Sequence, residues 1–137
     1  MAEDNKLFDL DIIAPDRMFY QGKVYFLEMK TSEGEIGVFR GHVPTTAVLV
    51  PGLVKIYQAE GEEPKEGVIH GGFVEILQDK VAIMAEIAEW PEEIDLNRAE
   101  EARVRAERRI NTAGEGIDMD RAEASLRRAL ARIEALK

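Results

Sequence analysis

The chain has 137 residues and a mass of 15.4 kDa, enough for one or two small domains. Apolar residues make up 45% and charged residues 33%, which is typical of globular chains and not of disordered or membrane-spanning ones. A formal charge of −9 argues against nucleic-acid binding, and the absence of cysteine excludes disulfides, thiolate metal sites and cysteine nucleophiles. Residues 1–6 lack the basic start and apolar core of a signal peptide, so we expect none.

The part of the chain before residue 90 has the pattern of short β-strands. Residues 8–14 alternate between apolar and polar side chains, and residues 22–30 are apolar on both faces, as in the middle of a sandwich. After turns rich in glycine and proline we expect further strands at 35–39, 47–50, 53–58, 66–70, 72–77 and 80–86. This pattern predicts a β-sandwich of about ten short strands as the first domain, residues 1–90.

The segment 94–137 contains no proline and predicts two helices. Asp95 and Asp118 stand where an N-cap or first-turn acid opposes the helix dipole. Each helix has an alanine-rich apolar stripe, formed by Ala99, Ala102, Ala106 and Ile110 in the first and by Ala122, Leu126, Ala129, Ile133 and Leu136 in the second. The short connection 111–116 favours an antiparallel two-helix hairpin, which we assign to a second domain, residues 91–137.

The two predicted helices are similar to each other in sequence. When residues 94–110 are aligned with 117–133, nine of seventeen positions are identical, and both copies open with Ile-Asp-x-x-Arg-Ala-Glu. Two generic helices of alanine, arginine and glutamate are the alternative explanation. Arginine predominates among the basic residues here, and its planar fork binds phosphates and carboxylates through two hydrogen bonds. Two trios with spacing i, i+7, i+11 each occupy one helix face: Arg98, Arg105, Arg109 and Arg121, Arg128, Arg132.

A closed hairpin would bring both arginine rows together beside Glu89 and Asp95. The cleft would then hold cations for phosphates, and carboxylates for hydroxyls or a base. The alternative is a solvated face whose arginines pair, with little gain in stability, with Glu100, Glu101, Glu107 and Glu123. The chain has no phosphate-binding loop, nucleophile elbow or His-Glu-x-x-His motif, so we expect neither a catalytic nor a metal site. We expect both histidines, His42 and His70, to be structural.

Residues 33–44 read EGEIGVFRGHVP, and residues 71–76 read GGFVEI. These two motifs resemble the turn S-G-E-[LI]-G-x-x-x-G-H-x-P and the strand G-G-F-x-E-[VI] of the ε subunit of F-type ATP synthases. The resemblance extends from about residue 7 to residue 137; Trp90 and the acidic extension 1–6 depart from it. It implies a non-catalytic rotor subunit at the cytoplasmic face of a bacterial membrane, peripheral and held through its complex, which couples proton translocation to ATP synthesis.

The resemblance also implies a set of partners. The sandwich would bind the γ subunit and rest on the c-ring through a ring-facing turn, residues 32–44, that includes Glu35 and His42. The hairpin would switch between a compact form on the sandwich and an extended form that reaches the α and β subunits of the catalytic head. There it would inhibit ATP hydrolysis through basic residues facing an acidic segment of β, for which the candidates are Arg108, Arg109, Arg121 and Arg127.

Bacterial members that bind ATP at this hairpin have the pattern [IL]-D-x-x-R-A on the first helix and two arginines on the second. This chain resembles that pattern, which implies an ATP site made of Glu89, Ile94, Asp95, Arg98, Ala99, Arg105, Arg128 and Arg132. ATP, with or without Mg²⁺, would be a regulatory ligand that stabilises the compact form and is not hydrolysed. Two other classes stay open: a free-standing nucleotide-sensing module outside any rotary complex, and a small acid/base enzyme using Glu89 and Asp95.

Overall fold

The computed structural model describes residues 4–112, 116 and 118–137, which form ten strands followed by two helices. This confirms the predicted fold class. Short 3₁₀ turns lie at Asp4–Lys6 and Pro91–Glu93. The strands and helices are β1 (Phe8–Ala14), β2 (Arg17–Val24), β3 (Phe26–Thr31), β4 (Gly34–Phe39), β5 (Thr45–Leu49), β6 (Gly52–Tyr57), β7 (Lys65–Ile69), β8 (Gly72–Ile76), β9 (Lys80–Ala85), β10 (Ala88–Glu89), α1 (Leu96–Asn111) and α2 (Met119–Ala135).

The strands pair in the order β10-β7-β6-β3-β5-β8-β9-β1-β2, and β4 pairs with β3. Strands β1 and β9 are parallel, whereas the other pairs are antiparallel. Strand β3 belongs to both halves of the sheet, since residues 26–28 pair with β6 while Thr31 pairs with Leu49 of β5. The two halves therefore share one strand, and their inner faces enclose one core.

The core is built from alternate residues of strands in both halves. In β1 and β6 every second residue is buried, which is the period expected of a strand with one face inward. One half contributes Leu27, Val54 and Ile56, and the other contributes the fully buried Leu10, Ile12, Val74, Ile76, Val81 and Ile83. Each such side chain stabilises the fold by roughly 1.5–3 kcal/mol relative to exposure, so the sandwich carries most of the stability.

The second and third strands differ from the sequence prediction. Strand β2 follows β1 directly after the turn at Pro15 and Asp16, and the predicted strand 22–30 is divided at Tyr25 into the end of β2 and most of β3. The prediction was wrong because Phe19 and Tyr20 are both buried, which interrupts the alternation in β2 where its register with β1 shifts. Strand β10 was missed because two residues carry no periodic signal.

Both helices begin at the predicted caps. Asp95 Oδ1 accepts a hydrogen bond from the backbone N–H of Arg98 at 3.2 Å, and Asp118 Oδ1 accepts one from that of Arg121 at 3.1 Å. The helices contact each other along their alanine stripes, and α2 also contacts β6 and β7, so the hairpin lies on the sandwich. The buried alanines are Ala99 and Ala106 in α1, and Ala122, Ala129 and Ala131 in α2. Within the predicted connection 111–116, residues 113–115 lie outside the described residues.

Candidate functional site

A cleft of about 280 Å³ lies between the first half of α1, the end of α2 and the junction after β10. We call it the hairpin cleft. Because Arg132, near the end of α2, meets residues at the start of α1 here, the two helices run antiparallel, as predicted. The residues that line it are Glu89, Glu93, Ile94, Asp95, Arg98, Ala99, Ala102, Arg105 and Arg132.

Glu89 is the charged group that joins the sandwich to α2 at this cleft. Its Oε1 accepts a hydrogen bond from His70 Nε2 at 2.8 Å and another from Arg132 Nε at 2.8 Å. The hydrogen bond from His70 is the main cause that lowers the pKa of Glu89 to about 2; desolvation opposes it and Arg132 adds to it. Glu89 is therefore a carboxylate at neutral pH.

Two further arginines of the cleft, Arg98 and Arg105, are exposed. Neither forms a side-chain ion pair with another residue in the described ranges 4–112, 116 and 118–137. Arg132 is instead held by Glu89. The cleft thus has two guanidinium groups that can donate hydrogen bonds to phosphate oxygens, and a third whose position is fixed by a carboxylate.

Arginines outside the hairpin cleft form the local ion pairs that were the alternative explanation for the arginine rows. Arg103 contacts Glu100 at 3.0 Å and Glu107 at 2.8 Å, along the outer surface of α1. Arg127 lies 3.8 Å from Glu123 on α2. These pairs are exposed and contribute little to stability. They involve Glu100, Glu107 and Glu123, and none of the arginines that line the hairpin cleft.

Arg128 is a predicted site residue that does not line the hairpin cleft. Its Nη2 donates to Ser125 Oγ at 3.2 Å, one turn back along the same helix. The spacing argument placed it with Arg132 because residues four apart share a helix face. It did not resolve which of the two is near enough to the end of α2 to face the start of α1. The other seven predicted residues all line the cleft.

Sequence reasoning missed three residues at this site: Glu93 and Ala102, which line the cleft, and His70, which holds Glu89. Ala102 shares the helical spacing of the lining set and was within reach of the pattern, whereas Glu93 lies before α1 in the 3₁₀ turn Pro91–Glu93. The sequence predicts a structural role for His70 because it ends the predicted strand 66–70 and stands in no motif. Its partner is 19 positions away, and only the pairing of β7 with β10 brings the two together.

The junction between sandwich and hairpin is fixed by a second acid–arginine pair. Arg17 donates to both carboxylate oxygens of Glu93, at 2.9 and 2.7 Å, and to the backbone carbonyl of Ala88 at 3.1 Å. Glu93 also accepts from the backbone N–H of Trp90 at 2.8 Å. The hydrogen bonds from Arg17 and Trp90 lower the pKa of Glu93, and the one to Glu93 raises the pKa of Arg17.

The Trp90 ring lies on the sandwich and does not line the hairpin cleft. It stacks on Phe19 with ring centroids 4.0 Å apart and an interplanar angle of 15°, and Lys65 Nζ lies 4.4 Å from its centroid. The residue that departs from the family pattern thus anchors the junction without lining the predicted ATP site.

The predicted contact residues outside the cleft lie at the surface. Glu35 is exposed on β4, and His42 is half-buried with Nδ1 2.7 Å from the carbonyl oxygen of Val43. On the helices the exposed candidates for the catalytic head are Arg108, Arg109, Arg121 and Arg127.

A row of apolar side chains crosses the outer face of five neighbouring strands, β5, β8, β9, β1 and β2. Their register makes each a cross-strand neighbour of the next, in the order Val48, Phe73, Met84, Ile13 and Met18. Val48 is 59% exposed and Phe73 49% exposed. A continuous exposed apolar row of this kind marks an interaction surface. We call it the outer apolar row.

Within the described residues, no cluster of three or more histidine, aspartate or glutamate side chains could hold a metal ion. Nor is either helix in that part of the chain long and apolar enough to cross a bilayer.

Comparison with known proteins identifies relatives for both parts of the chain. Residues 7–91 match the family described as ATP synthase, Delta/Epsilon chain, beta-sandwich domain, and residues 92–137 match its long alpha-helix domain. The ATP synthase epsilon chain of Clostridium kluyveri is 41% identical over 137 residues, covering 100% of both chains. That of Halalkalibacterium halodurans is 42% identical over 126 residues, covering 91% of this chain and 93% of its own.

The fold also matches solved structures. A chain in the cryo-EM structure of the Euglena gracilis mitochondrial ATP synthase, OSCP/F1/c-ring, aligns with a TM-score of 0.83 at 28% identity, covering 96% of this chain and 82% of that one. The names of the relatives indicate a non-catalytic subunit, in agreement with the prediction. The chain belongs to the delta/epsilon family of ATP synthase subunits.

Proposed function

We propose that this chain is the ε-type subunit on the central stalk of a bacterial, proton-coupled ATP synthase, and that its hairpin responds to ATP. The observation that carries the ATP site is the hairpin cleft, in which Arg98 and Arg105 have no carboxylate partner among the described residues. Phosphates are anions that guanidinium groups bind through two hydrogen bonds. Asp95 and Glu89 are acceptors for ribose hydroxyls or the adenine amine. ATP acts there as a ligand and is not hydrolysed.

ATP binding would favour the closed hairpin because the cleft is formed by both helices and the junction. A ligand shifts a two-state equilibrium by its difference in affinity for the two states. Arg132 reaches the cleft only while the end of α2 lies beside Glu89. The open hairpin has no such site, so ATP would hold the compact form.

In the extended form the hairpin would inhibit hydrolysis by contacting an acidic segment of the β subunit in the catalytic head. Charge complementarity gives such a contact its register and selectivity. The exposed arginines Arg108, Arg109 and Arg121 have no carboxylate partner in the described ranges, and Arg127 has a long, exposed one. These four groups are therefore free to bind a partner's acids.

The sandwich would carry the remaining contacts of the complex. The outer apolar row suits the γ subunit, since its exposed side chains extend over five strands on a rigid surface. The turn with Glu35 and His42 would face the c-ring. The chain would then be peripheral, on the cytoplasmic face of the membrane, and attached only through the complex.

Calorimetry of the full chain with ATP tests the nucleotide site. We expect one site, and Arg98→Ala should weaken binding at least tenfold, about 1.4 kcal/mol, because a phosphate contact is lost. The matched control is Arg103→Ala, an arginine of the same helix that is already paired with Glu100 and Glu107. ADP should bind less tightly than ATP. No heat of binding at millimolar ATP, or equal losses in both variants, would disprove the site.

A further inference from the structure

His70 is a buried titratable side chain that neither the fold nor the proposed function has used. It follows β7 and is 2% exposed. Its Nε2 lies 2.8 Å from Glu89 Oε1, and its Nδ1 has no hydrogen-bond partner among the described residues. The imidazole therefore makes a single polar contact in that part of the chain, and this contact is with the carboxylate of the hairpin cleft.

The proton of this hydrogen bond belongs to His70. Glu89 has a pKa of about 2, so its carboxylate can only accept, and Nε2 must donate. Arg132 Nε donates to the same oxygen, also at 2.8 Å. One donor comes from the residue after β7 and the other from the fourth-last residue of α2, so this oxygen links His70 to the end of α2.

We propose that His70 is a positioning residue of the hairpin cleft: it fixes the Glu89 carboxylate from the buried side, and the fixed carboxylate in turn holds Arg132 and the end of α2 in the closed form. The expected effect of His70 on ATP binding rests on the proposed function, whereas its effect on hairpin closure does not. A buried donor on a rigid strand end restricts the carboxylate before α2 arrives. Without it, Glu89 would be free to rotate toward solvent, and Arg132 would lose its defined partner.

The test is amide hydrogen exchange of the nucleotide-free, full chain, read in α2 with the strands of the sandwich as internal control. His70→Leu removes the donor, whereas His70→Gln keeps one, because the glutamine side-chain amide extends about as far as Nε2. Arg132→Ala and the double variant His70→Leu/Arg132→Ala complete a cycle. His42→Leu is the matched control, since it removes the chain's other histidine, away from the hairpin.

We expect His70→Leu to speed exchange in α2 about tenfold, the effect of losing a hydrogen bond to a charged group, and His70→Gln to stay within about threefold of the unaltered chain. In the double variant the effect should be clearly smaller than the product of the two single effects, since both act through one oxygen. Equal effects of His70→Leu and His70→Gln, or fold-changes that multiply, would show that His70 only fills space.

If His70→Leu also speeds exchange in the sandwich strands, the proposal is tested instead by NMR of the imidazole nitrogens of His70, in the unaltered chain and in Arg132→Ala. The proton should sit on Nε2, and Arg132→Ala should shift this resonance although His70 and Arg132 share only Glu89; an unchanged signal would overturn the proposal. Calorimetry with ATP then separates the two claims. If the unaltered chain binds no ATP but His70→Leu still loses exchange protection in α2, the nucleotide site alone is refuted. ATP affinity unaffected by His70→Leu, with α2 protection also intact, would refute the positioning role alone.

Discussion

Replacing Glu89 by glutamine keeps the shape of the side chain and removes its charge, so it measures what the carboxylate contributes. The pKa of Glu89 is lowered from 4.5 to about 2 by its hydrogen bonds to His70 and Arg132. At about 1.36 kcal/mol for each unit of pKa, this difference corresponds to an upper bound of about 3 kcal/mol. Its side chain is 23% exposed, so solvent screens the interaction only in part. We expect Glu89→Gln to lower the free energy of unfolding by about 2–3 kcal/mol at pH 7.

The pH dependence gives this prediction its sign. Because the folded pKa lies below the unfolded one, the contribution is fully present above about pH 4.5 and is lost as pH falls toward 2. Denaturant unfolding of both chains at pH 7, 4.5 and 3 should therefore show a difference that shrinks with acid. Glu62→Gln, at an exposed loop position, is the control and should change stability by less than about 0.5 kcal/mol throughout. A Glu89→Gln difference that does not change with pH would refute the reasoning.

Four further results are expected. Gly72→Ala should lower the free energy of unfolding by about 3 kcal/mol or more in denaturant, since an added Cβ would clash with the backbone of β9 at a φ of +112°. Gly41→Ala, also at a positive φ of +89° but in open space, should lower it much less, since only the backbone strain remains. Trp90→Ala should lower the free energy of unfolding by about 2 kcal/mol, and Trp90→Phe by less than half of that, because phenylalanine keeps the stack on Phe19. Equal decreases in the two variants would contradict this account. Asp118→Ala should cost about 1 kcal/mol by removing a cap and raise hydrogen exchange in the first turn of α2, while Asp118→Asn should change little. In the assembled complex, ATP hydrolysis at low ATP should rise when alanine replaces Arg108, Arg109, Arg121 and Arg127, and unchanged rates would count against the inhibitory contact.

Most of the fold was readable from sequence because its signals are local. The alternation in β1, the turns rich in glycine and proline, and the caps at Asp95 and Asp118 each act within a few residues. Strand β2 was missed where a bulge places Phe19 and Tyr20 side by side in the core. Pairing across the sheet, and not the pattern of one strand, decides that arrangement.

Helical spacing made much of the candidate site readable from the sequence. Arg98, Arg105 and Asp95 follow from positions on one helix. Arg128 shows the limit, since two arginines on the same face lie a full turn apart along the axis and only one reaches the start of α1. His70 depends on sheet topology, which places the residue after β7 beside β10. No sequence spacing encodes that contact.

The anchoring of Trp90 and Glu93 to the sandwich determines where the hairpin can pivot. The stack on Phe19 and the two hydrogen bonds from Arg17 immobilise the chain as far as residue 93, and regular helix begins at Leu96. Ile94 and Asp95, both in extended backbone, are the residues left between them. Any swing of the helices away from the sandwich must therefore turn about these two residues. Ile94 and Asp95 also line the hairpin cleft, so a ligand bound there would contact the pivot itself as well as the helices that turn about it.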